Sequence, residues 1–319
     1  MNQAGWSGQA DMINSTIRFA AVFVLLSSLF LYAQDGERRS MYPNGVLKEV
    51  CNYYGGKLHG KCLRYSPQGV LSESLTYTHG KINGECATYS EAGVLKEIYT
   101  MKDDKLDGTF RSYYPSGMLR EVIRYENGGI SGDYISYHEN GKVKTRSSYV
   151  NGSQEGEASS FYDNGTPEVI ATYARNLQQG ELKYFYPGGK LKGIWNYFDG
   201  KMHGRAFELD ESGDTLETVN YDYGRREGLS TSFYPKNIVK SKINYKRGLK
   251  DGITSSYYPT GKLWTTQNFV SNKRTGETRI FREDGTLWFI EQFKDDEPVS
   301  SEEFDLKGKS LGQKNLNKN

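Results

Sequence analysis

The sequence predicts an all-β fold, an elongated antiparallel β-meander of about eleven hairpin repeats of 24 residues that forms an open solenoid sheet. Three observations predict it. Glycine recurs every 24 residues in two separate series along most of the 319 residues. Apolar and polar residues alternate with period two between these glycines, as in strands. A third position accepts only Gly, Asn or Asp. A fixed period of this length is typical of architectures in which each unit packs on its neighbours.

The first glycine series marks one turn of each repeat. Its members are Gly45, Gly69, Gly93, Gly117, Gly141, Gly165, Gly189, Gly213, Gly261 and Gly285, with Asn237 in the one remaining place. In the repeat that follows Gly117, period two predicts that two sets of side chains occupy opposite faces. Leu119, Glu121, Ile123 and Tyr125 are expected on one face, and Arg120, Val122 and Arg124 on the other.

The second turn lies eleven residues after the first glycine. Its column reads Gly56, Gly80, Asp104, Gly128, Gly152, Asn176, Gly200, Gly224, Gly248, Asn272 and Asp296. These residue types tolerate the positive φ that tight hairpin turns require. Two turns per repeat predict one hairpin per repeat and a continuous meander.

Three apolar columns predict ladders of side chains along the sheet. The leucine column, two residues after the first glycine, is Leu47, Leu71, Leu95, Leu119, Val143, Pro167, Leu191, Thr215, Val239, Leu263 and Leu287. The inner aromatic column, eight residues after it, is Tyr53, Tyr77, Met101, Tyr125, Tyr149, Tyr173, Tyr197, Tyr221, Tyr245, Phe269 and Phe293. The outer aromatic column, four residues before it, is Tyr65, Tyr89, Tyr113, Tyr137, Phe161, Phe185, Leu209, Phe233, Tyr257 and Phe281. The second glycine series, from Gly60 to Gly276, is expected to leave room for a packed tyrosine ring.

Composition restricts the class of protein. Hydrophobic residues make up 36% of the chain, too few for a compact two-layer globule, while tyrosine occurs 25 times and packs with its hydroxyl in water. The 41 basic and 39 acidic residues are spread evenly along the sequence. This argues against nucleic acid as the partner, which would need a basic stripe. We expect a monomer whose contact with membranes, if any, is made by the N-terminal segment.

The N-terminal segment differs from the repeats. Arg18 precedes a run of 15 mainly apolar residues, 19–33, which is short for a transmembrane helix. It suits the hydrophobic region of a signal peptide cleaved after Ala33, more so if translation starts at Met12 instead of Met1. An uncleaved anchor is the alternative. The predicted organisation is therefore 1–33 signal peptide or anchor, 34–303 repeat domain, and 304–319 partial repeat or C-terminal cap and tail. Export to the periplasm, the outer surface or the medium follows.

Residues that could carry chemistry are few. We expect Cys51, Cys62 and Cys86 to fill ladder positions as small hydrophobes, with a Cys51–Cys62 disulfide as the alternative in an exported protein. His59 and His203 lie 144 residues apart at one repeat position, and no two histidines have metal-ligand spacing in the sequence. No nucleophile, base and acid stand together. The sequence predicts a protein that is not an enzyme and has no metal and no cofactor.

Units such as 113–132 and 185–204 combine an aromatic pair, a Pro-x-Gly turn, a Leu-containing strand, a tyrosine, a second turn and a glycine. They resemble the bacterial variant of the MORN repeat, found in YwqK-like antitoxin-type proteins. The resemblance covers residues 41–303 and implies a repeat scaffold. An antitoxin that neutralises a toxin by direct binding is one function it implies.

One aromatic column remains as a candidate binding site. It lies three residues before the first glycine and contains Tyr114, His138, Tyr162, Tyr186, Tyr234 and Tyr258. Period two places it opposite the outer aromatic column, on what we expect to be the wetter face. Exposed rings in a row suit sugars or partner side chains. The alternative is that the rings cover their own turns.

The predicted function is an exported, non-enzymatic scaffold whose long surface binds a protein or a cell-envelope polysaccharide. Two other classes remain open at this point. One is the antitoxin, and the other is an enzyme such as a cell-wall hydrolase, which the missing catalytic set disfavours.

Overall fold

The computed structural model describes residues 35–316, so the predictions for residues 1–33 lie outside the described residues. In this range the chain forms one sheet of 29 strands and one short 3-10 turn, Pro235–Asn237. Strands pair in antiparallel fashion with those next to them along the chain. Strand β1 pairs with β2 at one end and β29 with β28 at the other, which leaves the sheet open. The predicted open antiparallel meander is confirmed.

The first ten strands are β1 Gly36–Met41, β2 Leu47–Tyr54, β3 Lys57–Tyr65, β4 Leu71–Thr78, β5 Lys81–Ile82, β6 Gly84–Tyr89, β7 Leu95–Lys102, β8 Lys105–Tyr113, β9 Leu119–Glu126 and β10 Gly129–Tyr137. The next ten are β11 Val143–Val150, β12 Ser153–Phe161, β13 Pro167–Ala174, β14 Leu177–Phe185, β15 Leu191–Phe198, β16 Lys201–Met202, β17 Gly204–Leu209, β18 Thr215–Asp222, β19 Arg225–Arg226 and β20 Gly228–Tyr234. The last nine are β21 Ile238–Lys246, β22 Leu249–Lys250, β23 Gly252–Tyr257, β24 Leu263–Val270, β25 Lys273–Arg274, β26 Gly276–Phe281, β27 Leu287–Lys294, β28 Glu297–Phe304 and β29 Ser310–Asn315.

The second turns are two-residue hairpin loops, as the Gly, Asn and Asp column predicts. Tyr54 pairs with Lys57 across Gly55 and Gly56, and both loop residues have positive φ. Positive φ at both central positions is the type I′ arrangement, whose twist matches that of the flanking strands. The predicted column has φ between 64° and 89° in all eleven copies.

A β-bulge follows each first turn and changes which side chains share a face. In β8 and β9, Tyr113 pairs with Leu119 while Ser112 pairs with Glu121, so Arg120 is the extra residue. Leu119 therefore lies with Tyr113, on the face opposite to Glu121, and the predicted grouping of Leu119 with Glu121, Ile123 and Tyr125 is wrong. Strict alternation fails here because a bulge sets two residues against one.

We call the face that carries Phe110, Ile123 and Tyr125, with the equivalent residues of other repeats, the packed face, since most of the core lies there. One cluster consists of Cys51, Cys62, Leu75, Tyr77, Cys86 and Met101. A second consists of Val169, Ala171 and Leu182, with Tyr184 and Trp195 packed against it. The inner aromatic column belongs to this face. The opposite face, with Thr109, Arg111 and Arg124, is called the polar face.

The second glycine series pairs with the inner aromatic column, for example Gly108 with Tyr125. The reason for glycine is different from the one expected. Gly108 has φ +117°, and a Cβ there would lie 3.1 Å from the Cβ of Thr100, not against the tyrosine ring. Glycine is needed because the backbone is in the left-handed region and the neighbouring strand is close.

Candidate functional site

The six aromatic residues predicted as a binding column connect neighbouring repeats. The Tyr162 hydroxyl donates a hydrogen bond to the carbonyl of Phe185, 23 residues further along, at 2.8 Å. Equivalent bonds join Tyr114 to Tyr137, His138 to Phe161, Tyr186 to Leu209, Tyr234 to Tyr257 and Tyr258 to Phe281. Tyr42 makes the same bond to Tyr65. Each polar tip is therefore used inside the protein, on the repeat that follows.

These rings lie on the packed face and not on the wetter face, where they were predicted. Their neighbours are the bulge residues: Lys192 lies over the Tyr186 ring and Trp264 packs against Tyr258. The bulge residue Arg120 in turn bonds to Ser112, whose side chain is buried on the packed face. The predicted face is wrong because the β-bulge places the outer aromatic column on the polar face. The six rings, each adjacent in sequence to a residue of that column, therefore lie on the packed face. The six rings are half-buried, and a binding role for them stays a prediction.

Copies of this position without an aromatic ring use other bonds. The Ser66 and Asp210 side chains accept backbone N–H groups of their own turns. Arg282 instead reaches the carbonyl of Phe304 at 2.6 Å, as the tyrosines reach theirs. Connection between successive first turns is thus frequent but not universal.

Cys51 and Cys62 are directly opposite on β2 and β3 and are joined by a disulfide, the alternative to simple packing. Cys86 is a free thiol, and its burial raises its pKa, so it is poorly reactive. Ligand atoms of Glu49, Cys51 and Cys62 lie within 4.8 Å of one another. Both sulfurs are committed to the bond, so this group offers a metal no thiolate.

The structure brings together aromatic residues at the second turns that the sequence analysis does not identify as a group. Rings of Phe198, His203 and Tyr223 lie 5.0–6.2 Å apart. We call this set the C-terminal turn cluster. A matching trio, Tyr54, His59 and His79, occupies the same repeat positions. The signal was present in the sequence, because each member lies 144 residues from its counterpart.

Tyr223 is the unusual member of the C-terminal turn cluster. It has φ +44° at a turn position that is Asn in two other repeats, Asn127 and Asn151. The left-handed region costs a bulky residue about 1 kcal/mol or more. The residue is nevertheless 52% exposed, and Phe198 is 50% exposed. Residues held in strained backbone while remaining accessible are candidates for function.

A shallow depression of about 280 Å³ adjoins Tyr223 and is lined by Lys201, Asp222, Arg225, Glu227 and Arg247. The two carboxylates have partners: Asp222 Oδ1 lies 3.3 Å from His203 Nδ1, and Glu227 accepts the backbone N–H of Arg247 at 2.7 Å. Within residues 35–316, the side chains of Lys201, Arg225 and Arg247 have no carboxylate within ion-pair distance. The depression therefore carries three cationic and two anionic side chains, an excess of one positive charge, next to exposed rings.

Comparison with known families supports the repeat assignment. Seven segments match the family model described as "MORN repeat variant", namely residues 34–53, 106–127, 131–151, 154–174, 178–199, 226–247 and 250–271. These segments are similar to the MORN repeat variant, and together they cover just under half of the chain. The hairpins between them continue the same pairing pattern in the structure.

Two of the solved structures that are similar to this chain are crystal structures of TcdB2-TccC3. "Crystal Structure of TcdB2-TccC3" is 12% identical with a TM-score of 0.17, and the match covers 83% of this chain but 15% of that chain. The same assembly "without hypervariable C-terminal region" is 12% identical with a TM-score of 0.19, and the match covers 88% of this chain and 18% of that chain. Likeness at this level carries no functional argument. No curated protein matches the sequence.

Among residues 35–316, no helix is long and apolar enough to span a bilayer.

Proposed function

We propose that this protein is an exported, non-enzymatic scaffold whose MORN-type sheet binds a protein or cell-envelope ligand. The observation that carries the proposal is the open sheet itself. Each hairpin pairs with its two neighbours, so the fold displays side chains along its whole length without needing a second layer. Extended surfaces of this kind serve binding in other repeat proteins.

Export has two supports of different kinds. Residues 19–33 have the length and flanking Arg18 of a signal-peptide hydrophobic region. The Cys51–Cys62 disulfide suits an oxidising compartment, because thiols are kept reduced in the cytosol. The expected location is the periplasm, the outer surface or the medium.

A monomer is supported by the two edges of the sheet. β1 carries Arg39 and β29 carries Lys314, and charged edge residues oppose pairing with another chain.

Within residues 35–316 there is no cluster of nucleophile, base and acid on which we would base an enzymatic proposal.

Cell fractionation and mass spectrometry of the protein from its native host test export. We expect the protein in the envelope or the medium, with an intact mass that corresponds to a chain beginning at Gln34. A cytosolic protein retaining residues 19–33 would contradict the proposal.

Capture experiments with a C-terminally tagged full chain test the binding role. An envelope component recovered on the wild-type protein is expected. Recovery of a cytosolic toxin, with growth rescued by co-expression, would instead favour the antitoxin function that the YwqK-like resemblance implies.

A further inference from the structure

We propose that the C-terminal turn cluster and the depression beside it bind an acidic oligosaccharide, with a sugar ring against Tyr223 and Phe198 and carboxylates against Lys201, Arg225 and Arg247. This inference rests on the proposed binding function and names a site and a ligand class for it. The site lies at the second-turn edge of the sheet, away from the six first-turn rings.

The first step is the availability of the rings. Phe198 and Tyr223 are about half exposed and meet edge to face, with centroids 6.2 Å apart. His203 lies beside Tyr223 at 5.0 Å, and its Nδ1 faces Asp222, which restricts the imidazole. Contact with His203 therefore holds the exposed rings of Phe198 and Tyr223 in a fixed orientation. The C–H faces of a pyranose ring stack on such surface while its hydroxyls stay in water.

The second step is charge. The cations of Lys201, Arg225 and Arg247 line one depression next to Tyr223 and outnumber its two carboxylates. Asp222 lies against His203, and Glu227 accepts the backbone N–H of Arg247, so neither carboxylate forms an ion pair with the three cations. A guanidinium binds a carboxylate through two parallel hydrogen bonds. The combination of a ring to stack and carboxylates to pair is the chemistry of a uronic-acid oligosaccharide.

The third step disfavours an extended acidic peptide that adds to the sheet as a strand, which would share the negative charge. Such peptides obtain affinity from main-chain hydrogen bonds to an unpaired strand. At this edge the turn amides are already bonded: Gly224 N–H to the carbonyl of Met202 and Gly248 N–H to that of Arg226. The Arg247 amide is occupied by Glu227. At these turns, such a peptide could therefore form hydrogen bonds only with side chains and not with the bonded backbone amides.

A matched comparison is provided by the equivalent N-terminal trio of Tyr54, His59 and His79. His79 stands at the repeat position of Tyr223 and has φ 51°. Its neighbour Lys81 is paired with Asp103 at 3.2 Å, so positive charge there is compensated. Substitution by Asn suits both positions, because Asn occupies this turn position in two other repeats.

The experiment is isothermal titration calorimetry of the full chain with tetragalacturonic acid, its methyl ester and a poly-L-glutamate peptide. We expect the acid to bind and the ester to bind at least tenfold more weakly. Tyr223→Asn, and Arg225→Gln with Arg247→Gln, should each weaken binding of the acid at least tenfold. His79→Asn should change it less than twofold. Circular dichroism and thermal melting check that every variant is folded.

Four results would overturn the inference: no binding of the acid, equal binding of the ester, unchanged binding by Tyr223→Asn, or tighter Tyr223-dependent binding of polyglutamate, which would identify a peptide site. If the wild-type chain captures an envelope component that Tyr223→Asn captures equally well, the proposed function stands and this site does not. If an acidic sugar binds but the protein is cytosolic, the proposed export fails while the site survives.

Discussion

Replacing Tyr162 with Phe tests whether the first-turn rings hold successive repeats together. The substitution removes one hydroxyl and leaves the ring, so it deletes the 2.8 Å bond to the Phe185 carbonyl without opening a cavity. A neutral hydrogen bond of this kind contributes about 1 kcal/mol net, and the abandoned carbonyl is in a half-buried region. We expect the free energy of unfolding to fall by about 1 kcal/mol, roughly a fivefold change in the unfolding constant.

The loss should be local in origin. Stability in a repeat protein is close to a sum of terms between neighbours, so amides of the hairpin containing Phe185 should exchange faster than those of remote hairpins. Combining Tyr114→Phe, Tyr162→Phe and Tyr258→Phe should lower stability by about 3 kcal/mol, because the three sites share no partner and their effects add. Urea denaturation gives the total, and hydrogen exchange with mass spectrometry gives the location.

Tyr54→Phe is the matched control. Tyr54 is 60% exposed, and its hydroxyl has no hydrogen-bond partner among the described residues, so stability should change by less than about 0.3 kcal/mol. Equal effects of Tyr162→Phe and Tyr54→Phe would refute the bracing role. A further comparison replaces Tyr114, Tyr162 and Tyr186 together by Ser. Lost capture of a partner with unchanged melting would favour the binding column, whereas lost stability with retained capture would favour bracing.

Three further predictions follow. Gly108→Ala should lower the free energy of unfolding more than Gly156→Ala does, by about 1 kcal/mol or more in urea denaturation. Both glycines have positive φ, but only at Gly108 would the new Cβ press against Thr100. Equal losses would contradict this, and a Thr100→Ala background should reduce the difference. Burial raises the pKa of Tyr134 to about 12, so its neutral form contributes stability fully below pH ~10 and loses it as pH rises through about 12. The difference in tyrosinate absorbance at 295 nm between the wild-type protein and Tyr134→Phe should therefore appear together with the loss of β-sheet circular dichroism, and its appearance in the folded protein at pH 10 would argue otherwise. Alkylation of the unreduced protein should label no thiol when folded and one, Cys86, in denaturant; three labelled thiols in denaturant would show that the disulfide is absent.

The repeat, the class of fold and the turn chemistry were determined by the sequence alone. Turn positions restricted to Gly, Asn and Asp are local in origin, since positive φ is a property of single residues. The column from Gly56 to Asp296 therefore gave the type I′ hairpins correctly. Hairpins joined by such short turns can pair only with their neighbours, which dictates the meander.

Which face each column occupies was decided by the tertiary structure. The bulge at Arg120 inserts one residue, and a shift of one residue moves every following side chain to the other face. For that reason period two misplaced Leu119 relative to Ile123 and assigned Tyr114 to the wetter face. The two central columns that contain Cys62 and Ile123 cannot be recognised as continuous columns in the sequence, because their residue types vary from repeat to repeat.

Contacts between repeats also required the structure. The bond from Tyr162 to Phe185 spans 23 residues, and no pattern within one repeat indicates it. The same is true of the depression at Tyr223, which combines side chains from successive hairpins, including Lys201 and Arg247. Even spacing of charges along the chain concealed this local excess of cations, because pairing with carboxylates depends on distance in space. Sequence periodicity thus determined the architecture, while the sites arise where neighbouring repeats differ and meet.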